Sequence, residues 1–589
     1  MADAGDNLKV IRTWLQECLS GSSECSTWPR EHFRPTRLIA IEMSASGDPY
    51  IRLVRGRDIA EPFPGYATLS YCWGRATGEM PWRLTKERLA GFEKAIPNEV
   101  LPKTIADAFR VVEAIGIHYL WVDSLCIVQD DPEDWAFEAY RMGQVYNGSL
   151  LTMISGTDSS TGGLLTPRQQ LEVSAAEIPI SSTSSPTSTP GSAGGLAILY
   201  PRLDTSKTRI RCGPTSKRAW CYQEELLSAR RLYFSEEGFG WECLCSDHDE
   251  AGIKGPGDVR STAYTLPDYD AKVLLSESQV IGEWHGIVEQ YTSRQITYHG
   301  DVFAALAGIA SSLQARYESR YFAGLWECFF LDDLLWHRTG NTLDRPEDFD
   351  APTWSWLSVK GHVTFGRGNQ TTTKTDAEYV GCDVQTANGD MFGTVASGGT
   401  VRLRARLLHC EVCKEGSEDD IEKLTNARQE MPMEEKKISR GHHEEAEFTD
   451  SDGDSDSDAE DSQYILRNGP WEAVPPKPIV PPGGRLDMAA RLKIRRGEND
   501  LEFATVFFDG EEESQTAALS VVYISATVRP ANVMDHNGIA VVPVAAKNGD
   551  ESDGVKRYRR VGFVAFWDKK LKGDLGFLME EKKTEIVLV

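Results

Sequence analysis

The run Tyr119-Leu-Trp-Val-Asp-Ser-Leu-Cys-Ile-Val-Gln-Asp130 is apolar until it delivers acidic and polar groups at its end. A run of this length bounded by polar residues reads as a buried strand. Before it lies Leu101-Pro-Lys-Thr-Ile-Ala-Asp-Ala-Phe-Arg-Val-Val-Glu-Ala-Ile-Gly116, and after it Asp134-Trp-Ala-Phe-Glu-Ala-Tyr-Arg-Met-Gly-Gln-Val-Tyr146, both with helical spacing. Helix, strand, helix in that order calls for crossover connections and a mainly parallel sheet.

The neighbouring segments extend this pattern. Leu8, Ile11, Trp14, Leu15 and Cys18 lie at helical spacing within residues 6–20. Arg37–Glu42 and Tyr50–Arg55 alternate in hydropathy around Ser44–Asp48, which predicts a hairpin. Ala67–Trp73 reads as a strand stopped by Gly74, residues 119–128 as the next strand, and Leu150–Ile154 as the third. Thr104 with Asp107 is close to a capping box at the start of one helix. Trp135, Ala139, Met142 and Tyr146 share one face of the next. Lys217–Leu227 reads as a further helix, then Arg231–Ser235 and Phe239–Cys243 as strands. Residues 168–207 are rich in Ser, Thr, Pro and Gly and cannot offset their ordering entropy by burial, so a flexible insertion is expected there. Residues 275–340 look helical and aromatic-rich, and from Ala351 onward strand patterns dominate, interrupted by a charged segment at 414–463.

Composition narrows the function classes. The 589 residues are 40% hydrophobic and 26% charged, enough for several cores. A net charge of −26 argues against nucleic-acid phosphate as a partner, which requires basic surface. The N-terminus lacks the basic and apolar parts of a signal peptide, and no apolar run is long enough to span a bilayer. Twelve scattered cysteines, several within apolar runs (Cys72, Cys126, Cys328), fit buried thiols in a reducing compartment. These features together predict a cytoplasmic protein.

Five blocks in one order carry a family resemblance: Tyr66–Gly74, Leu101–Ala108, Tyr119–Asp130, Met142–Tyr146, and Arg218–Ser228 with Trp241-Glu-Cys243 behind it. Together they resemble the HET domain, the heterokaryon-incompatibility domain of filamentous fungi. One departure is Glu225, where the family usually carries Arg after Gln-Glu. The HET domain is itself similar to the TIR domain, a flavodoxin-like α/β fold of innate immunity. On that likeness Leu69–Tyr71 resembles the first TIR strand and Trp121–Asp123 the second. Trp220-Cys-Tyr-Gln-Glu-Glu-Leu226 resembles the motif Trp-Cys-x-x-Glu-Leu, with one extra residue before the leucine. Glu224 then occupies the position of the glutamate that cleaves NAD in catalytic TIR domains. Insertion 168–207 would separate the third strand from this helix, which TIR domains do not normally have.

The resemblance implies an α/β fold class with a flavodoxin/TIR-like parallel sheet, followed by a helical region and a β-rich C-terminal region. The expected layout is an N-terminal helix and hairpin over 1–60, a HET domain over 61–250, a helical region over 251–345 and the β-rich region over 346–589. The implied role is an effector of non-self recognition in regulated cell death that signals by domain association. Partners would be other incompatibility or NLR-type proteins, or further copies of the chain. The alternative is a NAD glycohydrolase with Glu224 as its catalytic carboxylate and Tyr71, Trp73, Asp123 and Trp220 around the substrate. A carboxylate beside the ribose can stabilise the oxocarbenium-like state of N-glycosidic cleavage. Against this, Glu224 could pair with Arg218 or Arg230, and Asp123 could bind a backbone amide.

No cofactor is expected beyond NAD as substrate, and no metal. Cys410-Glu-Val-Cys413 beside His409 is half of a zinc pattern without its second half, and the Cys243-Leu-Cys245 pair reads as packing. The acidic run 450–461 lacks the glycine and distant glutamate of a calcium loop.

Overall fold

The computed structural model describes residues 4–21, 25, 33–43, 49–74, 80–165, 176–180, 195–199, 213–236, 238–244, 246–250, 276–339, 351–365, 373–387, 389–413, 489–496, 499–509, 518–529, 533–544, 555–566 and 581–589. Helix α1 (Ala4–Ser20) precedes the antiparallel hairpin β1 (Arg37–Met43) and β2 (Pro49–Arg55). Then follow β3 (Ala67–Ser70), α2 (Lys86–Phe92), α3 (Lys103–Ile115), β4 (Tyr119–Trp121), α4 (Asp123–Cys126), α5 (Pro132–Asn147) and β5 (Leu151–Ser155). A separate antiparallel pair, β6 (Ala176–Ile180) and β7 (Gly195–Leu199), lies within the Ser/Thr/Pro-rich insertion 168–207, whose other residues fall outside the described ones. Helix α6 (Ala219–Leu226) leads into β8 (Arg230–Phe234), β9 (Phe239–Cys243) and β10 (Asp247–Asp249).

Eight of these strands form one mixed sheet in the order β10-β9-β8-β5-β3-β4-β1-β2. Its centre is parallel, with β4 and β5 on either side of β3 and β8 beyond β5. Both flanks are antiparallel: β1 covers β4, and β9 covers β8. The central strands β3, β5 and β8 are buried throughout, as a sheet packed on both faces requires.

Local chemistry explains where elements start and stop. Helix α3 buries Ile105, Ala108, Val112 and Ile115 on one face and ends at Gly116, whose φ of 83° only glycine adopts cheaply. Asp131 caps α5 by accepting from the Glu133 amide, and Pro132 opens it. The strand expected over 119–128 is shorter than the apolar run. It ends at Trp121, because the Asp123 carboxylate accepts from the Ser124 amide at 2.6 Å and turns the chain into the buried helical turn α4. The expected capping box of Thr104 and Asp107 is also corrected. Pro102 occupies the cap position, and both side chains hold a loop instead. Asp107 Oδ2 accepts from the Leu164 and Leu165 amides, and Thr104 Oγ1 from the Gly163 amide, each at 3.0 Å.

Two helices, α7 (Glu277–Thr292) and α8 (Val302–Tyr317), pack on this sheet's helical layer. Gly143 of α5 and Gly308 of α8 let the backbones touch. A Cβ on Gly308 would lie 2.7 Å from the Gly143 Cα and 2.7 Å from Gln223 Oε1. Gln223 Oε1 also accepts from the Gly308 amide at 2.8 Å, so this crossing fixes α6 as well. Gly308→Ala is expected to destabilise by about 1–3 kcal/mol through overpacking, read as a fall in melting temperature. One hydrophobic cluster runs from Ile11 of α1 through the sheet and α8 to Leu588.

The chain continues through the short antiparallel pairs β11 (Tyr321–Phe322) with β12 (Leu325–Trp326), and β13 (Trp336–Arg338) with β14 (Val363–Phe365). Next come β15 (Thr373–Thr375), β16 (Glu378–Thr386), β17 (Val395–Cys413), β18 (Ala489–Arg496), β19 (Asn499–Phe508), β20 (Ala518–Arg529), β21 (Val533–Pro543), β22 (Lys556–Phe566) and β23 (Thr584–Leu588). Pairing runs β17-β20-β21-β22-β19-β18 and returns to β17, so these six strands close a ring around a second core containing Val506, Val521, Ala540 and Val564. Closure removes the exposed edges that an open sheet would present. The ring docks on the rest through Arg560, fully buried, which pairs with Asp509 at 3.0 Å and donates to the carbonyls of Leu334 and Trp336 at 2.5 Å. Among the described residues no helix is long and apolar enough to cross a membrane.

Candidate functional site

The carboxyl ends of parallel strands are where an open α/β sheet presents loops to a ligand, at the point where strand order reverses. Here β3 is that point, because the chain goes from it to β4 on one side and returns to β5 on the other. Directly after β3 come Tyr71 and Trp73; directly after β4 comes Asp123.

These residues meet. The Trp73 indole donates to Asp123 Oδ2 at 2.9 Å, and Tyr71 donates to Ser124 Oγ at 2.8 Å. Asp123 Oδ1 is held by the Ser124 amide, the backbone contact open to an acid at this place. Burial raises the Asp123 carboxyl above its usual range, against the nearby Arg218 guanidinium and the Trp73 N–H. Gly74 ends the segment at φ 87°, and a Cβ there would sit 2.9 Å from that of Ser159, so only glycine lets the loops close together.

Helix α6 brings two charged groups to the same edge. Arg218, extended at the helix entrance, donates to the Tyr71 carbonyl at 2.7 Å. Glu224 is 6% exposed. Its backbone is tied down by Ser228 Oγ, which donates to the Glu224 carbonyl at 2.6 Å and continues a buried hydroxyl chain through Thr152 to Thr68. Burial, with the Asp123 charge adding to it, raises the Glu224 carboxyl to about 7; Ser70, Arg218 and Tyr146 pull the other way. Arg218 acts on the carboxylate through space: among the described residues Glu224 makes no ion pair within 4.0 Å. Arg230 points elsewhere, toward Cys18 Sγ and the Leu150 carbonyl.

Tyr71, Trp73, Asp123 and Glu224 thus share one edge. Trp220 is engaged outside that cluster, donating to Asp301 Oδ2 at 3.3 Å and standing edge-on to Trp135. Ser70 and Tyr146 are the site residues that sequence reasoning missed. Only the fold brings them near Glu224, where both bear on its carboxyl while Tyr146 donates to the Leu69 carbonyl at 3.2 Å. The variant position Glu225 accepts from Tyr233 at 3.0 Å and pairs with Arg294 at 3.5 Å, joining α6 to the segment after α7. Of the zinc half-pattern, the His409 ring bonds Ser520 at 2.7 Å while Cys410 lies in the core of the ring of strands.

A buried carboxyl raised toward neutrality thus stands beside a second acid and a guanidinium at the strand ends of an α/β domain. A model of the family described as heterokaryon incompatibility protein (HET) matches residues 66–224, so the chain carries a HET domain in that segment. The match begins one residue before β3 and ends at Glu224 itself, within α6. No curated protein and no solved structure matches the chain.

Proposed function

We propose that the chain is an effector of fungal heterokaryon incompatibility whose HET domain cleaves the nicotinamide–ribose bond of NAD. One observation carries the reading: Glu224 is buried at the sheet's ligand-facing edge, near Asp123 and Arg218, without being consumed by an ion pair. The strand order of the parallel core, β4-β3-β5-β8, is the 2-1-3-4 order of flavodoxin-like folds and supports the TIR-like comparison. Nicotinamide leaves NAD without needing a proton, so the demand falls on stabilising the positive ribosyl carbon. An ionised Glu224 meets that demand, and Arg218 keeps part of it ionised near neutral pH.

The test is nicotinamide release from NAD by the purified full chain, alone and clustered on a multivalent support. Absence of release in both forms would sink the enzymatic reading. Where release occurs, the rate should rise with pH through about 7, because the carboxylate is the working form. Arg218→Gln should move that limb up by roughly one pH unit, and Asp123→Asn should move it down, since one removes an attractive and the other a repulsive charge. A limb that neither variant moves would assign the titration to another group.

A second observation concerns how the signal is passed on. Phe137 and Tyr140 of α5 stand 53% and 36% exposed, three residues apart on one helix face. Large exposed aromatics on a helix suit association with another chain. We take α5 as the contact through which HET domains, or an incompatibility or NLR-type partner in the cytoplasm, assemble. Phe137→Ser is expected to reduce self-association in sedimentation experiments while leaving the melting temperature within about 1 °C.

A further inference from the structure

The geometry points to a zinc site made by the thiolates of Cys18, Cys25 and Cys243, with Arg230 as its counter-charge. Cys18 lies in the last turn of α1, Cys25 a few residues beyond it, and Cys243 ends β9, so three separate stretches converge. The three sulfurs lie within 4.8 Å of one another, and all three residues are buried. Sulfurs on a common tetrahedral zinc, each about 2.3 Å from the metal, stand slightly under 4 Å apart, so modest contraction completes the site.

The donor set selects the metal. Three thiols, with no carboxylate or imidazole in the cluster among the described residues, suit a soft or borderline ion rather than magnesium or calcium. Arg230 is fully buried, sits opposite Cys243 across the β8–β9 ladder and donates to Cys18 Sγ at 3.2 Å. Its single positive charge and the two of Zn(II) balance three thiolates. With Cu(I) the same residues would leave a net negative charge in a dry core, which is costly. The Ser246 hydroxyl, 3.2 Å from Cys243 Sγ, offers an oxygen as fourth ligand.

The contact with Cys243, ahead of burial, pushes the Cys18 thiol up to about 11, and its neighbours' sulfurs raise Cys25 well beyond the usual thiol range. Zinc binds cysteine as thiolate, so its binding is accompanied by proton release. The ion would pin the N-terminal helix to the outer strands of the sheet. Trp14, stacked on His248 at 5.4 Å, already marks that contact.

The test is the metal content of the full chain, purified without chelator after expression in zinc-supplemented medium, with thiols counted after denaturation. Equimolar zinc is expected, released when a mercurial blocks the thiols. Cys18→Ser and Cys243→Ser should each lower the bound zinc at least tenfold, whereas Cys328→Ser, at an exposed cysteine, should leave it unchanged. Should the cluster variants fail to fold, cobalt reconstitution of the wild-type chain decides the matter. Thiolate ligation gives an intense near-ultraviolet charge-transfer band, and its absence would overturn the site. Zinc-free protein with every thiol reduced, a disulfide between any two of the three cysteines, or zinc retained by both cluster variants would also overturn it.

Discussion

Glu224→Gln is expected to lower nicotinamide release by at least about a hundredfold while making the protein more stable at alkaline pH. The two effects share one cause. Glutamine keeps the shape and the hydrogen-bonding capacity of the protonated acid but cannot carry the negative charge that the ribosyl cation needs. The folded chain holds the Glu224 carboxyl at about 7, above its ordinary 4.5. Between those values the folded state keeps a proton that the unfolded chain has lost, so stability falls as pH rises through the window. Above it the wild type bears the full cost of burying an ionised group, on the order of 3 kcal/mol, which the variant escapes. Melting curves at pH 5 and pH 8 check this: the variant's advantage should be present at the higher pH and shrink toward the lower. Lost activity without the pH-dependent gain would mean that the fold leaves the Glu224 carboxyl at its ordinary value. A stability gain without lost activity would make it a buried acid with no part in catalysis.

A second large effect is expected far from that edge. Asp509→Ala should destabilise the protein by about 3–5 kcal/mol, because it leaves the Arg560 guanidinium buried without its carboxylate. Arg560 is enclosed by Asp509, by the carbonyls of Leu334 and Trp336, and by the Trp336 ring 3.6 Å away. Water cannot replace what the substitution removes. The joint replacement Asp509→Leu with Arg560→Met should recover much of the loss, since a buried pair exchanged for apolar groups of similar volume is often neutral. Calorimetry on the two variants separates a charge left alone from simple loss of packing, which would make the double variant no better than the single.

How much of this could be read beforehand varied with the distance over which the signal acts. The β1–β2 hairpin, the helices of the HET segment and the strand from Ala67 follow from short-range alternation and turn residues, and the structure has them, although that strand stops at Ser70 instead of running to Trp73. The run 119–128 misled because an apolar stretch looks alike in a strand and in a buried helical turn. What divides it is one hydrogen bond at Asp123. Within the candidate site, Tyr71, Trp73, Asp123 and Glu224 were legible through the resemblance. The hydroxyls of Ser70 and Tyr146 were not, since nothing in their local sequence marks them. Closure of the C-terminal ring and the meeting of Cys18 and Cys25 with Cys243 were equally hidden, because each joins residues far apart in the chain.

The matched segment also falls short of the folded unit that contains it. Residues 66–224 include β3, β4 and β5 but omit β8, the fourth strand of the parallel core, and the antiparallel β1 and β9 that cover its two sides. They also omit α8, whose Gly308 amide anchors the helix bearing Glu224. A gene rearrangement that carried that segment alone into another protein would transplant the recognisable words without the grammar. The folded unit is wider than the matched stretch, and a recipient chain would have to supply its own strands and supporting helix for the transplant to survive.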